Sequence, residues 1–176
     1  MVHYTVGAQG LDIADAVLRV LREEGFADRP RQVFLQCFDD HTLRRLRHEL
    51  KTPLPLIQLI AENEWGEDSA VDYGHLQTAR GLAEVAAYAD GIGPWVEQIY
   101  LGRTSHGELR VSELVALATA QKLMVHPYTF RRDALPEGIE SFEELLDLFL
   151  VKLRVDGLFT DFPDLVVQYL ARRFPQ

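Results

Sequence analysis

Cysteine is almost absent from the chain. Cys37 stands alone among 176 residues, which excludes an intrachain disulfide. It lies inside the apolar run Val33 to Phe38, where a buried and inert thiol is expected. Positive charge is also scarce. The 18 Lys and Arg are outnumbered by 27 Asp and Glu, a formal net charge of -9. That balance argues against nucleic acid or an anionic membrane as the main partner, because phosphate binders gather Lys and Arg on one face. The densest basic cluster, Arg44, Arg45, Arg47 and His48, shares its helix with Glu49 and reads as a solvated face. No apolar run approaches the ~18 residues that a bilayer crossing needs, so no membrane insertion is expected. Nor does the start show a charged stretch followed by an apolar signal core. With Met1 taken as the true start, the chain is expected to stay where it is made.

Familiar catalytic strings are missing too. There is no G-x-x-x-x-G-K-[ST], no G-x-G-x-x-G, no G-x-S-x-G and no paired-cysteine metal site. The nearest glycine cluster, "DGIGP", lacks a third glycine and reads as close packing rather than a phosphate loop. His41 and His48 are too far apart to ligate together from one helix face, and His3, His75 and His106 have no carboxylate partner visible in the sequence. His126, in "VHPYTF", ends a strand and reads as a structural histidine, although it is the best placed of the six. The acidic loop Glu62, Glu64, Glu67 and Asp68 offers oxygen ligands for a hard cation. Its spacing matches no calcium loop, and it reads as solvated.

What is present is an ordinary globular composition, 47% hydrophobic and 26% charged, in a chain long enough for one buried core. Leu11, Ile13, Ala14, Val17, Leu18 and Leu21 recur at helical spacing, with Gly25 as a stop. Short apolar runs then alternate with helical patterns: "RQVFLQCF", "LPLIQLI", "DGIGP", "KLMVHPYTF" and "DGLFT" read as strands. Asp39 or Asp40 caps the helix "HTLRRLRHEL", and "HLQTARGLAEVAAYA" reads as one helix. "LGRTSHGELR" reads as a loop, followed by a helix capped by Ser112. Ser141 with Glu144 forms a capping box for "FEELLDLFLVKL". One helix followed by five strand-helix units indicates a parallel α/β sheet, either doubly wound or a (β/α) barrel.

Polar or aromatic residues fall at nearly every strand end: Gln36, Gln58, Glu62, Pro94-Trp95, Tyr128 with Arg131, and Asp161. A barrel brings all of them around one mouth, which favours it over an open sheet. Trp65, isolated in the long polar loop after Ile60, is expected to cover a pocket or its rim. Arg131 and Tyr128 suit phosphate recognition, and the plainer alternative is a charged turn held by an Arg132-Asp133 pair. Asp161 ends the last strand with no basic residue beside it.

Five strings, "VFLQCFD", "PLIQLIAENEW", "AEVAAYADGIGP", "KLMVHPYTFRRDALP" and "VDGLFTDFPDLVVQYL", together resemble the glycerophosphodiester phosphodiesterases, most closely the bacterial periplasmic type. The resemblance implies a (β/α) barrel that hydrolyses glycerophosphodiesters to glycerol 3-phosphate and an alcohol by acid-base chemistry. Two histidines and a divalent cation, calcium in the periplasmic type, would carry that chemistry. The family's His-Arg-Gly, Glu-x-Asp, His-Asp and Glu-Ile-Lys motifs do not occur in this sequence. Residues 1–176 are therefore expected to form the C-terminal part of a single barrel domain, about five of eight strand-helix units. A misplaced start or a frameshift upstream of Met1 would account for that, and the intact parent would be periplasmic or secreted.

The family's Gln-x-Phe falls on Gln36 and Phe38, its closing Thr-Asp on Asp161, an aromatic position on Tyr128 and a polar one near Arg131. With Trp65, these are expected to shape the substrate pocket without moving a proton or binding the metal. The expected partner is a small-molecule glycerophosphodiester, with self-association through open barrel edges. Two other readings stay open: a non-catalytic module binding glycerophosphate or another anion through Tyr128 and Arg131, and an unrelated five-stranded doubly wound domain.

Overall fold

The computed structural model of the chain describes residues 12–65 and 70–175. Helix α1 (Ile13–Glu23) turns Ala14 and Leu18 into the core, and the Asp12 carboxylate caps it by accepting from Asp15 N at 3.1 Å. It stops at Gly25, whose φ of +73° only glycine adopts without strain. Strand β1 (Leu35–Cys37) is shorter than the apolar run that announces it. Helix α2 (Asp40–His48) is capped by Asp39, not Asp40, through Thr42 N at 2.8 Å. Strand β2 (Leu56–Ile60) is buried at every position.

Strand β3 (Gly91–Pro94) is likewise buried throughout, and β6 (Met124–Val125) completes the sheet. The four strands lie in the order β1-β2-β3-β6, all parallel, with Leu35 opposite Leu56, Ile57 opposite Gly91 and Gly91 opposite Met124. Each sheet strand pairs with the next sheet strand along the chain. A doubly wound sheet would reverse direction at a switch point, whereas a barrel keeps this order. The architecture is an incomplete (β/α) barrel. The expected last strand "DGLFT" runs parallel beside the extension of β6, tied by Phe159 N to Pro127 O at 2.9 Å and Phe130 N to Phe159 O at 2.8 Å. It forms only an isolated bridge, Phe130 to Thr160, rather than a ladder.

Between β3 and β6 the chain makes α5 (Val96–Ile99), the antiparallel hairpin β4 (Tyr100–Arg103) and β5 (Leu109–Val111), and α6 (Leu114–Ala120). The segment read as a glycine-containing loop is thus a hairpin. Its glycines, Gly102 and Gly107, take positive φ, and Arg103 fastens it to the Gly138 carbonyl at 2.7 Å and to Glu144. The cap position of α6 is Glu113, whose side chain makes no cap bond, while Ser112 still accepts from Leu114 N at 3.4 Å through its hydroxyl. The same hydroxyl donates to Gln98 O at 2.7 Å.

"HLQTARGLAEVAAYA" is two helices, α3 (Tyr73–Leu76) and α4 (Ala79–Val85), because the Thr78 hydroxyl caps the second by accepting from Gly81 N at 3.1 Å. "FEELLDLFLVKL" begins as α7 (Phe142–Leu146), capped by Ser141, and widens to a π-helical turn at Asp147–Lys152. Helix α8 (Pro163–Arg173) closes the described chain, with proline at its first position as helix starts allow. No helix among the described residues is long and apolar enough to cross a membrane.

The side chains of Cys37, Gln58, Ile92 and Val125 share one face of the sheet through their registers, and Gln36, Ile57, Gly91 and Met124 share the other. The first face packs on the helices, as Gln58 shows by accepting the Tyr88 hydroxyl at 2.8 Å. The second is the inner, barrel-lumen face. Its glycines have a packing role, as expected: a Cβ on Gly91 would stand 2.7 Å from Met124 O, and one on Gly93 2.6 Å from Leu59 Cδ2. The basic cluster on α2 is not merely solvated. Arg44 pairs with Asp40, Arg45 with Asp12, Asp15 and Glu49, and Arg47 with Asp90.

Candidate functional site at the strand ends

An open groove of about 340 Å³ lies at the C-terminal ends of the strands. Gln36, Phe38, Leu59, Tyr128, Phe159 and Asp161 line it, with Thr129 and Thr160. Four of the six candidate residues, Gln36, Phe38, Tyr128 and Asp161, are therefore neighbours although they are spread over more than half the chain. In parallel α/β folds this end of the sheet is where ligands bind, since the strands stop there and the loops diverge.

The groove wall is held in place from behind. Gln58 is fully buried, and its Nε2 donates to the Phe38 carbonyl at 2.8 Å and the Leu59 carbonyl at 3.0 Å, while Tyr88 donates to its Oε1. Burial pushes the Tyr88 phenol far above its ordinary range, which keeps it a donor. On the groove side the Phe38 ring meets Tyr128 edge to face, with centroids 5.8 Å apart, and Tyr73 at 6.4 Å. The Tyr128 hydroxyl donates to Ile60 O at 2.7 Å, so its ring is fixed across the mouth.

Arg131 reaches the groove only through Asp161. Its guanidinium pairs with Asp161 on one side and holds Asp133 in a two-pronged contact on the other, at 3.1 and 3.0 Å. Asp161 therefore has a basic partner, thirty positions earlier in the sequence. The expected Arg132-Asp133 pair is replaced by Arg131-Asp133, and Arg132 lies over the Phe162 ring instead. With two carboxylates on one guanidinium, the phosphate-binding fork is already occupied.

Trp65 does not line the groove. It sits in a 3₁₀ turn (Asn63–Trp65) beyond β2, 46% exposed, and packs edge-on against Trp95 with centroids 5.3 Å apart. Trp95 in turn pairs with Tyr128 across an isolated parallel bridge, which puts the two side chains on the same side of the sheet. Gln98, buried on α5, organises this corner. Its Oε1 accepts from Trp95 N at 2.9 Å, and its Nε2 donates to Ala61 O and to Glu62 Oε1, both at 2.8 Å. Sequence reading passed over Gln98. The available signal was a lone amide among Val96, Ile99 and Tyr100 just after a strand end.

His126 packs on the inner face between Phe34 and Phe159, at 5.1 and 6.3 Å between centroids, and Gly157 leaves room for its ring. Burial lowers its pKa and keeps it neutral near pH 7. His75 does have a partner, Glu84 at 3.0 Å, which lies on the next helix and so was hidden from a local reading. Cys37 is half-buried, and desolvation raises its thiol pKa, in keeping with an inert thiol. His3, Glu67 and Asp68 lie outside the described residues.

The model of the glycerophosphoryl diester phosphodiesterase family matches residues 4–165. The chain belongs to that family. It is 35% identical over 175 residues to a glycerophosphodiester phosphodiesterase of Haemophilus influenzae, covering 92% of this chain and 48% of that protein. A Treponema pallidum glycerophosphodiester phosphodiesterase is 29% identical, covering 93% of this chain and 50% of its own length. The chain spans about half the length of the curated relatives it matches. A crystal structure described as a glycerophosphoryl diester phosphodiesterase, from Silicibacter pomeroyi, superposes with a TM-score of 0.60 at 21% identity, over 92% of this chain and 44% of that one. This likeness speaks for the barrel fold alone.

Divalent-cation chemistry, implied by the phosphodiesterase resemblance, has no fitting donor set among the described residues. Among the described residues no three His, Cys, Asp or Glu side chains come together in a way that could hold a metal ion. Among the described residues Asp161 is the only carboxylate lining the groove, and Arg131 holds it.

Proposed function

We propose that this chain forms the substrate-shaping side of a glycerophosphodiester phosphodiesterase barrel, whose reaction releases glycerol 3-phosphate and an alcohol. The observation that carries the reading is the groove itself. In a chain of this family, Gln36, Phe38, Tyr128 and Asp161 meet at the strand ends although nothing in their local sequence requires it. Gln58 and the Tyr128–Ile60 hydrogen bond fix the walls, so the groove is pre-formed and a bound diester would not have to order it.

In this proposal the proton-transfer histidines and the carboxylates for a divalent cation such as calcium come from residues other than those described. Among the described residues His126 is the one histidine on the inner face, is packed between aromatic rings and has no acidic side chain hydrogen-bonded to it. The 176 residues alone are therefore expected to be inactive, with the parent enzyme acting in the periplasm like the bacterial type that the sequence resembles. Glycerol 3-phosphate release from glycerophosphodiesters, measured with and without added calcium, tests this. The 176-residue protein should give no turnover above background. A protein that joins these residues to a segment bearing His-Arg-Gly and Glu-x-Asp should be active. Robust turnover by the 176 residues alone would overturn the assignment of roles.

A further inference from the structure

The helix layer is apolar at both of its ends. Helix α1 exposes Ile13, Val17 and Val20, and α8 with its C-cap residue exposes Val167, Leu170 and Phe174. Each stripe runs over two helical turns, about 10 Å. On α1, at about 100° per residue, the stripe lies to one side of the buried Ala14 and Leu18, and Asp15 lies to the other. Asp15 pairs with Arg45 of α2, so the stripe faces away from the neighbouring helix. On α8 the buried residues are Val166 and Tyr169, and Arg172 to one side of them pairs with Glu143 of α7. There too the stripe lies on the far side. Followed in one sense round the axis, the order is stripe, core, Asp15 on α1, but Arg172, core, stripe on α8. The two stripes therefore point outward from opposite ends of the layer.

The sheet is open at the same two ends. Among the described strands β1 is an edge. Leu35 N donates to Pro55 O on the β2 side, so by alternation Gln36 turns its N–H and C=O to the open side. At the far end Phe159 spends both its N–H and its C=O on the extension of β6, which leaves those of Leu158 facing outward. A row of unpaired backbone groups is a template for a further strand.

We infer that a second copy of this chain covers both ends. In a two-fold pair about the barrel axis, α1 of each copy packs on α8 of the other, and β1 continues the other copy's last strand in parallel. Complementarity favours a copy of the same chain over a different protein. The two stripes are equally long, both apolar and of opposite hand. Helices of a (β/α) barrel run the same way along it, so exposed Glu23 and Glu24 at the end of α1 come beside the partner's Arg172 and the partner's Arg173. Two copies bring ten strands where the barrel has eight, so each step round the ring opens from about 45° to about 36°. The isolated bridge between Phe130 and Thr160 is the least tied step in the sheet and can take up the opening. The strand-end grooves of the two copies then share one mouth. Such a pair needs the barrel fold and not the proposed reaction.

Sedimentation equilibrium of the 176-residue protein across the micromolar range is expected to give the mass of two chains, with no growth beyond two. Val17 and Leu170 stand mid-way along their stripes and are exposed, so a charge at either leaves the core alone. Val17→Lys and Leu170→Glu should each weaken the dimer at least about tenfold, while the circular dichroism spectrum stays that of the parent. An equimolar mixture of the two variants should regain the dimer, because one of its two contacts then pairs the new charges and the other is that of the parent. A monomer throughout the range, or assembly that grows past two chains, would overturn the inference. So would a dimer that Val17→Lys leaves intact, as expected if α8 docked on α8, or a folded mixture that stays monomeric.

Discussion

Gln58 joins the helix layer to the groove, and replacing it with leucine should damage both. The side chain is fully buried and makes hydrogen bonds with the Phe38 and Leu59 carbonyls and the Tyr88 hydroxyl. Leucine is nearly isosteric, so no large cavity forms. The loss comes from the partners left behind, chiefly the Phe38 carbonyl and the Tyr88 hydroxyl. A buried polar group without a partner costs about 1–3 kcal/mol, so two of them suggest a loss of about 2–4 kcal/mol once the added apolar burial is credited. That is a large fraction of the roughly 5–15 kcal/mol that a domain has in total. Urea denaturation followed by circular dichroism measures it. Tyr88→Phe removes only one of these bonds and should cost about 1–2 kcal/mol. In the double variant the two losses should fall short of additive, because they share one hydrogen bond. If Gln58→Leu costs less than about 1 kcal/mol, the tether is not what holds Phe38 against the groove.

Other perturbations probe different parts of the molecule. Gly81→Ala would ordinarily stabilise a helix by about 1 kcal/mol, but here the sign should reverse to a loss of about 1–3 kcal/mol or more in the same denaturation assay. The cause is that the new Cβ would lie 2.1 Å from the His75 carbonyl oxygen. His126 has its pKa lowered by burial, so the unfolded chain binds a proton more readily than the folded one. Stability should therefore fall as pH drops below about 6.5, with a slope of at most about 1.4 kcal/mol per pH unit, until the folded pKa is passed. That component should vanish in His126→Gln. Helix α1 exposes Ile13, Val17 and Val20 along one stripe, and α8 with its C-cap residue Phe174 exposes Val167, Leu170 and that phenylalanine along another. These stripes lead us to expect self-association, read by sedimentation across the micromolar range, and a strict monomer there would refute it.

Where local pattern and tertiary packing agree, the sequence was readable. The strands "LPLIQLI" and "DGIGP" emerged because both faces of a parallel sheet are covered, leaving continuous apolar runs with glycines where backbones approach. Asp39, Ser141 and Gly25 announced their helix ends through capping chemistry that acts over three or four residues. The failures have a common cause in distance. The split between α3 and α4 is the exception, set locally by the Thr78 cap, whereas the hairpin β4–β5 depends on Arg103 reaching Glu144 and Gly138. The pairing of Arg131 with Asp161 was hidden for the same reason. Asp161 is brought in by the strand order, which no local pattern encodes. The positions of Gln36, Phe38 and Tyr128 around one groove followed from placing them at strand ends, and the hydrogen bonds that hold them did not.

The strand order also bears on how the chain reaches this state. Leu35 meets Leu56, Ile57 meets Gly91, Gly91 meets Met124, and Phe130 meets Thr160, so each pairing in the parallel sheet joins one of its strands to the next of its strands along the chain. Closing a loop of a few tens of residues is cheap, because closure entropy grows only logarithmically with length. Among the described residues no sheet strand has to wait for a partner from far along the sequence. As the chain leaves the ribosome, each βα unit can dock on the edge left by the one before it, and the sheet can grow in the direction of synthesis.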